Sequence, residues 1–247
     1  GYKYFKNDKY DGVFTPYVAF NHTYGNLSHP YYRLERMQEW SDALDWTKGS
    51  LGILPDGEWQ AICFDNENSY YSKEKKQTGS VGMRLSHKLT GLNRGNIQFD
   101  ADLGAVLQYK HLDYQRNEQS YDIDRHAYSF RPTLTMEYRS NGKHKWSPEL
   151  RLNYTGKQQQ PNLLNMLQIE DYADPLNLFR GNASLQDIYA HQLAFRYGMN
   201  QRKTQHSTYI SIQYTRTHND IVASSIYNAE NGGRIYEMVN TNRTHKA

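Results

Sequence analysis

The sequence is poor in hydrophobic residues, has a single cysteine and contains no long apolar run. Hydrophobic residues make up 37% of its 247 residues, and the mean hydropathy is −0.93. A soluble domain of this length has to bury a sizeable apolar core, and this composition supplies little for one. Cys63 has no second cysteine with which to form an intrachain disulfide. The absence of a run of about 18 apolar residues excludes a transmembrane helix.

A strong charge of one sign and the known catalytic motifs are also missing. With 29 basic and 26 acidic residues the net charge is +3, which is too balanced to indicate a nucleic-acid partner. The sequence contains no Gly-x-Ser-x-Gly nucleophile elbow and no His-Glu-x-x-His metal motif. Its 10 histidines are scattered along the chain. We therefore expect no enzymatic activity, no cofactor and no metal site.

Tyrosine, in contrast, is abundant, with 22 residues. Disordered chains are polar but poor in aromatic residues, so disorder does not explain this composition. A wide membrane β-barrel does explain it, because its interior is wet and its outer surface carries only a thin apolar band. Aromatic residues form girdles at the two edges of that band.

Long stretches of the sequence alternate between apolar and polar residues. The clearest stretch runs from Asn96 to Lys110, where every second residue from Ile97 to Tyr109 is apolar. A period of 2 indicates a strand, and this one exceeds the length of about 5–6 residues that is usual in soluble sheets. The same alternation predicts eight or nine strands in all, including segments 13–24, 81–89, 128–138, 146–154, 189–199, 208–215 and 234–244. Pro132 and Pro148 fall on apolar faces, where we expect local bulges.

Short and long connections alternate between these strands. The Asn141-Gly142 hairpin turn is short, whereas segments 25–79, 111–125, 155–187 and 218–233 are long. A membrane meander has short periplasmic turns on one side and long external loops on the other. The sequence thus predicts an all-β fold, an antiparallel transmembrane β-barrel meander, that occupies residues 1–247 with these segments as external loops. A soluble β-sandwich that binds glycans remains an alternative, because the apolar faces could pack against each other.

Two sets of residues are candidates for function. Charged residues of both signs lie on the polar faces of the strands, where we expect them to line a wet lumen: Arg84, Lys88, Asp100, Asp102, Arg131 and Arg196. Aromatic residues are frequent in and beside the longest external loop: Trp40, Trp46, Trp59, Tyr31, Tyr32, Tyr70 and Tyr71. Such residues suit stacking on a sugar ring, an aromatic chelator or a peptide. The alternative is that they pack the loop on itself and stiffen the barrel mouth.

The segment from Tyr154 to Tyr197 carries a longer pattern. A strand ends before a proline-containing loop, and a Gly-Asn-x-x-Leu element precedes the next strand; the matching residues are Pro161, Asp174, Pro175, Gly181, Asn182 and Leu185. This pattern resembles the TonB-dependent outer-membrane receptor superfamily, in particular receptors of the Bacteroidetes type. Ala183 stands where those receptors usually have a proline, and the Trp-Glu pair of the starch-utilisation type is absent.

The resemblance implies a barrel of roughly 22 strands with an N-terminal plug domain, in the outer membrane of a Gram-negative bacterium. It implies uptake of a scarce large nutrient, such as a siderophore, a cobalamin-like molecule, a glycan or a peptide. The partners would be outer-membrane lipid and the TonB energy-coupling complex, which acts through the plug. Because eight or nine strands and no plug are recognisable here, we expect a fragment of such a barrel. A non-transporting barrel used for adhesion or assembly is the alternative function.

Overall fold

The structure is a computed structural model that describes residues 2–7, 9–36, 59–92, 95–142, 145–171, 176–201, 203, 205–229, 232–242 and 244–246. Most of these residues lie in strands: β1 (Tyr2–Asn7), β2 (Tyr10–His29), β3 (Tyr70–Leu92), β4 (Gly95–Arg116), β5 (Gln119–Ser140), β6 (Trp146–Gln159), β7 (Glu170–Asp171), β8 (Asn177–Arg180), β9 (Ile188–Gln201), β10 (His206–His218), β11 (Asp220–Tyr227), β12 (Arg234–Thr241) and β13 (Thr244–Lys246). The helical segments are short, with a helix at Trp59–Cys63 and 3-10 turns at Leu34–Arg36 and Leu163–Met166. None of the helices in these ranges is long and apolar enough to cross a membrane.

The described strands form two sheets. Nine of them make a large antiparallel sheet in the order β1-β2-β3-β4-β5-β6-β9-β10-β13, which confirms the predicted meander. The smaller sheet has four strands in the order β11-β12-β8-β7, and β12 runs parallel to β8. The strand predicted at 234–244 was assigned to the wrong sheet, because Arg234–Thr241 pairs with β11 and β8. The connections β1–β2, β3–β4, β5–β6 and β9–β10 lie at one end of the large sheet, here called the turn end. The connections β2–β3, β4–β5 and β6–β9 lie at the other, the loop end.

One face of the large sheet is apolar and exposed. Val18, Val81 and Phe130 lie in one row across β2, β3 and β5, and they are 82%, 55% and 53% exposed. The rows nearer the turn end carry further apolar residues on the same face. Soluble proteins rarely leave so large a contiguous apolar surface in water, whereas a barrel wall presents such a surface to lipid. We call this the apolar face and the opposite one the polar face.

The limit of the apolar face moves toward the turn end across the large sheet. It reaches Leu107 and Tyr128, which are directly paired on β4 and β5. On β10 it ends at Tyr214, which lies in the row of Leu134, closer to the turn end. Strands about 4.8 Å apart and tilted by about 35–45° displace a horizontal band by roughly one residue per strand. The limit is level from Phe20 on β2 to Tyr128 on β5 and lies six residues closer to the turn end on β10, so its average displacement is of this order.

On the polar face, one tyrosine covers two glycines. Gly82 and Gly104 are paired across β3 and β4, and a Cβ added at either would lie 2.6 Å from the Tyr17 hydroxyl oxygen. That hydroxyl donates to Asp102 Oδ1 at 2.8 Å, and Arg84 Nε donates to Asp102 Oδ2 at 2.9 Å. An aromatic ring over cross-strand glycines stabilises the register where side chains for pairing are absent.

Pro132 and Pro148 lie where their strands have only one paired neighbour. β5 pairs with β6 only over residues 133–139, and the two prolines lie just beyond opposite ends of that ladder. Proline has no N–H to donate, so it is tolerated where a ladder stops. The bulges predicted at these positions were wrong, because Pro132 keeps Leu103 as a regular partner and Pro148 keeps Met199.

The buried apolar core lies at the loop end. β4 and β5 continue beyond the apolar face as a hairpin that turns at residues 117–118. In this hairpin the polar face of the sheet becomes apolar and packs against the β6–β9 connection. The buried members of this core are Leu112, Tyr114, Leu163, Met166, Leu167 and Leu185.

The predicted long loops are shorter than expected. Segment 111–125 was predicted as a loop, but β4 and β5 run through it and leave a two-residue turn. Segment 25–79 narrows to the connection between His29 and Tyr70, β6 extends to Gln159, and segment 218–233 contains β11. Along these strands the apolar residues change from one face of the sheet to the other. The alternation of apolar and polar residues is interrupted at that point, so the sequence predicts the end of a strand although the strand continues.

Candidate ligand-binding site

A pocket of about 190 Å³ lies on the polar face at the loop end, between the large sheet and the smaller one. Its walls come from β3 and β4, from the β6–β9 connection and from the smaller sheet. The aromatic and charged residues that line it are Tyr70, Tyr114, Arg116, Phe179, Arg180, Tyr236 and Glu237. Pockets for whole drug-sized ligands usually measure about 300–1,000 Å³, so this one has room for one ring or side group of a larger molecule.

One wall of the pocket is a ladder of aromatic rings. His29 and Tyr70 are cross-strand partners on β2 and β3, and their ring centroids are 5.2 Å apart. Tyr70 stacks on Tyr114 at 5.3 Å, and Tyr114 contacts Tyr121 on β5 at 6.2 Å. Residues at facing and diagonal positions of neighbouring strands project from the same face, so their rings meet. Tyr70 and Tyr114 are the members of this ladder that line the pocket, and they give it an aromatic wall.

The facing wall comes from the smaller sheet. Phe179 on β8 and Tyr236 on β12 are partners in the parallel ladder, and their rings stack with centroids 5.3 Å apart. Arg180 and Glu237 are the next partners in that ladder. The Phe179 side chain remains accessible, since the residue is 56% exposed. Together these residues offer a stacking surface beside a guanidinium and a carboxylate, which can bind hydroxyl, amide or carboxylate groups.

The Gly181-Asn182 element directly follows β8 and joins the smaller sheet to the part of the β6–β9 connection that contains Leu167. A Cβ on Gly181 would lie 1.5 Å from the Leu167 carbonyl oxygen, so only glycine allows the two backbones to touch. Asn182 donates from its side-chain amide to the Met238 carbonyl oxygen at 2.9 Å. The Asn182 side-chain oxygen accepts from the Ser184 backbone N–H, also at 2.9 Å. The element therefore positions one wall of the pocket.

The other residues of the same sequence pattern also serve the local fold. Leu185 is 2% exposed and belongs to the core, and Pro161 is fully buried. Lys110 Nζ donates to the Pro161 carbonyl oxygen at 3.3 Å, which ties the connection to β4. Asp174 and Pro175 lie outside the described residues.

The turn after the short helix is tied to the pocket through Asp65. The Asp65 side chain is 3% exposed, and its Oδ2 accepts from Arg33 Nε at 2.8 Å and from the Asn68 amide at 2.6 Å. Burial by itself raises the pKa of the Asp65 carboxyl, but the hydrogen bonds from Asn68 and Arg33 outweigh it and hold the pKa below its ordinary value. Arg116 donates to the Glu67 carbonyl oxygen at 2.7 Å and to Asn68 Oδ1 at 2.8 Å. The same turn thus holds the guanidinium that lines the pocket.

Among the predicted aromatic candidates, Tyr70 lines the pocket. Tyr31 adjoins the ladder, with its ring centroid 5.1 Å from that of His29. Tyr32 and Trp59 contact each other at 5.2 Å, close to the short helix and away from the pocket. This second group packs the connection on itself.

Of the remaining aromatic candidates, Tyr71 is not part of the pocket. Tyr71 projects from the opposite face of β3, where Lys73 Nζ lies 5.4 Å from its ring centroid. Trp40 and Trp46 lie outside the described residues. The sequence analysis missed Tyr114, Arg116, Phe179 and Tyr236, which line the pocket. Tyr114 and Phe179 lay in segments predicted to be loops, and nothing local in the sequence links them.

The charged residues predicted to line a lumen all project from the polar face: Arg84, Lys88, Asp100, Asp102, Arg131 and Arg196. Asp100 accepts from the Ser86 hydroxyl at 2.6 Å and from the Gln98 amide at 2.9 Å, while Asp102 pairs with Arg84. The two carboxylates therefore have separate partners and do not form an acid–base pair. That this face encloses a lumen stays a prediction.

A family model described as the outer membrane protein beta-barrel family matches residues 91–247. The match begins just before β4 and includes β5, β6, the smaller sheet and most of the pocket. A comparison with curated proteins gives no match.

Proposed function

Because the chain belongs to the outer membrane protein beta-barrel family and lies in the bacterial outer membrane, we propose that it is the barrel wall of a receptor that binds a scarce nutrient at its external mouth. In this proposal the polar face lines the lumen and the loop end faces the outside of the cell. Membership of this family excludes the soluble β-sandwich alternative.

The observation that carries the proposal is the pocket between two aromatic walls. It lies on the polar face, where the predicted lumen opens, and its walls belong to different sheets. A planar ring of a nutrient can stack on the accessible Phe179 while its polar groups reach Arg180 and Glu237. Because the pocket measures only about 190 Å³, the rest of the ligand would extend into the lumen or over the loops.

The transport step rests on the resemblance to TonB-dependent receptors. In that class a plug domain inside the barrel moves when the energy-coupling complex pulls on it. The charged residues of the polar face, including the Arg84–Asp102 pair, would keep water in the passage that opens when the plug moves. Uptake energised through TonB is therefore the proposed activity of the complete receptor.

Ligand binding can be tested with the full-length protein in detergent and a panel of a siderophore, a cobalamin, an oligosaccharide and a peptide. Phe179→Ala should weaken binding of the active compound about tenfold, equivalent to about 1.4 kcal/mol. Tyr227→Ala is the matched control, because Tyr227 is an exposed aromatic residue of the smaller sheet that lies outside the pocket. Equal affinities of the two variants would contradict a role of the pocket in binding.

Transport is tested separately in cells that produce the full-length protein. We expect accumulation of the bound compound that stops when the proton gradient is dissipated or TonB is removed. Binding without such energy-dependent uptake would reject the transport step and favour the non-transporting barrel used for adhesion or assembly.

A further inference from the structure

The apolar face of the β4–β5 hairpin changes character just beyond Leu107 and Tyr128. The next rows toward the loop end on the same face are Tyr109 with His126, His111 with Asp124, and Asp113 with Asp122. His111 lies four residues past Leu107, about 13 Å along the strand. Because each headgroup layer is about 5–8 Å thick, the rows of His111 with Asp124 and of Asp113 with Asp122 stand at the water side of the lipid surface.

Three potential metal ligands meet on this face. His111 Nδ1 lies 3.1 Å from Asp124 Oδ1 and 3.2 Å from Asp122 Oδ1. One nitrogen and two carboxylate oxygens all lie within 4.8 Å of one another. The arrangement follows from the strand geometry, since Asp122 and Asp124 are two residues apart on β5 and His111 faces Asp124 on β4.

We propose that His111, Asp122 and Asp124 form a binding site for a divalent transition metal, such as Zn²⁺, on the outer surface of the barrel wall. An imidazole nitrogen with two carboxylate oxygens suits Zn²⁺ better than Ca²⁺ or Mg²⁺, which prefer ligand sets made of oxygen alone. Three protein ligands leave at least one coordination position open to water or to an external group. This site is on the opposite face from the proposed nutrient pocket and does not depend on it.

Contacts with neighbouring side chains and with the sheet hold two of these ligands in place. The Tyr109 hydroxyl donates to Asp124 Oδ1 at 2.6 Å. The His111 side chain is 21% exposed, so its ring is held against the sheet while both aspartates remain accessible to solvent.

One charge opposes the metal. Lys75 is the cross-strand partner of His111 on β3 and occupies the same face. A cation bound between the aspartates would be repelled by an ammonium group at this position. Lys75 therefore provides a variant that should strengthen binding, whereas a simple loss of folding can only weaken it.

The test measures Zn²⁺ binding to the full-length protein in detergent by calorimetry, with Ca²⁺ and Mg²⁺ as comparison ions. We expect one site specific for Zn²⁺, a loss of affinity of about tenfold or more for His111→Ala and Asp124→Asn, and tighter binding for Lys75→Gln. His126→Gln is the matched control, because His126 is a histidine on the same face but outside the three-ligand group. We expect it to bind as the parent protein does.

Two outcomes would overturn the proposal. Absence of saturable Zn²⁺ binding, or equal loss in His111→Ala and His126→Gln, would show that the three residues form only a histidine–carboxylate ion pair. A preference for Ca²⁺ that is insensitive to His111→Ala would show a nonspecific carboxylate surface. Circular dichroism of each variant distinguishes a lost ligand from a lost fold.

Discussion

The two halves of the β4–β5 hairpin carry their apolar side chains on opposite faces. Near the turn end, residues such as Phe99 and Leu107 are exposed on the apolar face, while Asp100 and Asp102 lie on the polar face. Near the loop end, Leu112 projects from the same face as Asp102 but is 2% exposed in the core. The strand is continuous, yet its apolar side changes between Leu107 and Leu112.

This reversal indicates a change of surroundings rather than a change of backbone. In the first half, lipid covers the apolar side chains, as it does on the outer wall of a membrane barrel. In the second half, water lies on both sides of the hairpin, so apolar side chains have to be covered by the protein itself. The β6–β9 connection supplies that cover, which explains why the pocket forms there. The reversal also marks the membrane surface on the molecule.

The largest expected loss of stability comes from the close contact of Gly181 with Leu167 in the β6–β9 connection. Gly181→Ala would place a Cβ 1.5 Å from the Leu167 carbonyl oxygen, so the two backbones have to separate. We expect the loop end to lose about 3 kcal/mol or more of stability while the sheet at membrane level is unchanged. Hydrogen exchange of the full-length protein, resolved by segment, measures both halves. Gly25→Ala is the control, because a Cβ added at Gly25 would meet nothing within 4 Å beyond its own chain neighbours.

The next effect tests the reversal directly with two leucines of one strand. Leu112→Ala removes a side chain that is buried in protein and should cost the loop end about 2–3 kcal/mol. Leu107→Ala removes one that is 55% exposed and faces lipid, so opening of the loop end should change by less than about 0.5 kcal/mol. Segment-resolved hydrogen exchange again provides the readout. Equal effects of the two variants would mean that the halves are not distinct.

The same comparison explains how much the sequence could predict. The alternation from Ile97 to Tyr109 predicted β4 and its face correctly, because one environment surrounds that whole stretch. Leu112 and Tyr114 were assigned to a loop, because the apolar residues change from odd to even positions at the reversal. A strand whose apolar residues change from odd to even positions looks, in the sequence, like a strand that ends. The two cases can be told apart only when the residues that pack on its other face are known.

The pocket was less predictable than the strands. Gly181 and Asn182 were recognised as part of a pattern, but their role depends on Leu167 and Met238, which lie in other elements. Tyr114 meets the smaller sheet only through tertiary packing. Such contacts join residues far apart in sequence, and no local period or spacing encodes them.

A smaller effect concerns the pH response of the loop end. The pKa of the Asp65 carboxyl is lower in the folded protein than its ordinary value of 3.8. The carboxylate therefore stabilises the fold above that value, and this stability is lost as the pH falls through the lowered pKa. We expect an acid-active protease to cleave within residues 59–69 more rapidly as the pH is lowered through this range.

The variant Asp65→Asn separates this carboxylate from other acid effects. In this variant, residues 59–69 should already be cleaved at neutral pH, because Arg33 loses its charged acceptor. Cleavage should then increase less when the pH is lowered. Glu67→Gln is the neighbouring control and should keep the parent profile. An unchanged acid response in Asp65→Asn would assign that response to other carboxylates.

The smallest effect belongs to the membrane-level half. Tyr17→Phe keeps the ring over Gly82 and Gly104 but removes the hydrogen bond to Asp102, at an expected cost of about 0.5–1.5 kcal/mol. Because the ring keeps the two strands in register, urea unfolding of the full-length protein in vesicles should shift slightly, without a change in the hydrogen exchange of the loop end. A Tyr17→Phe variant that opened the pocket instead would show that the two halves are coupled through β2 and β3. In that case the reversal along β4 would mark only a change of surroundings from lipid to water. It would not separate two regions of different stability, because the whole sheet would open together.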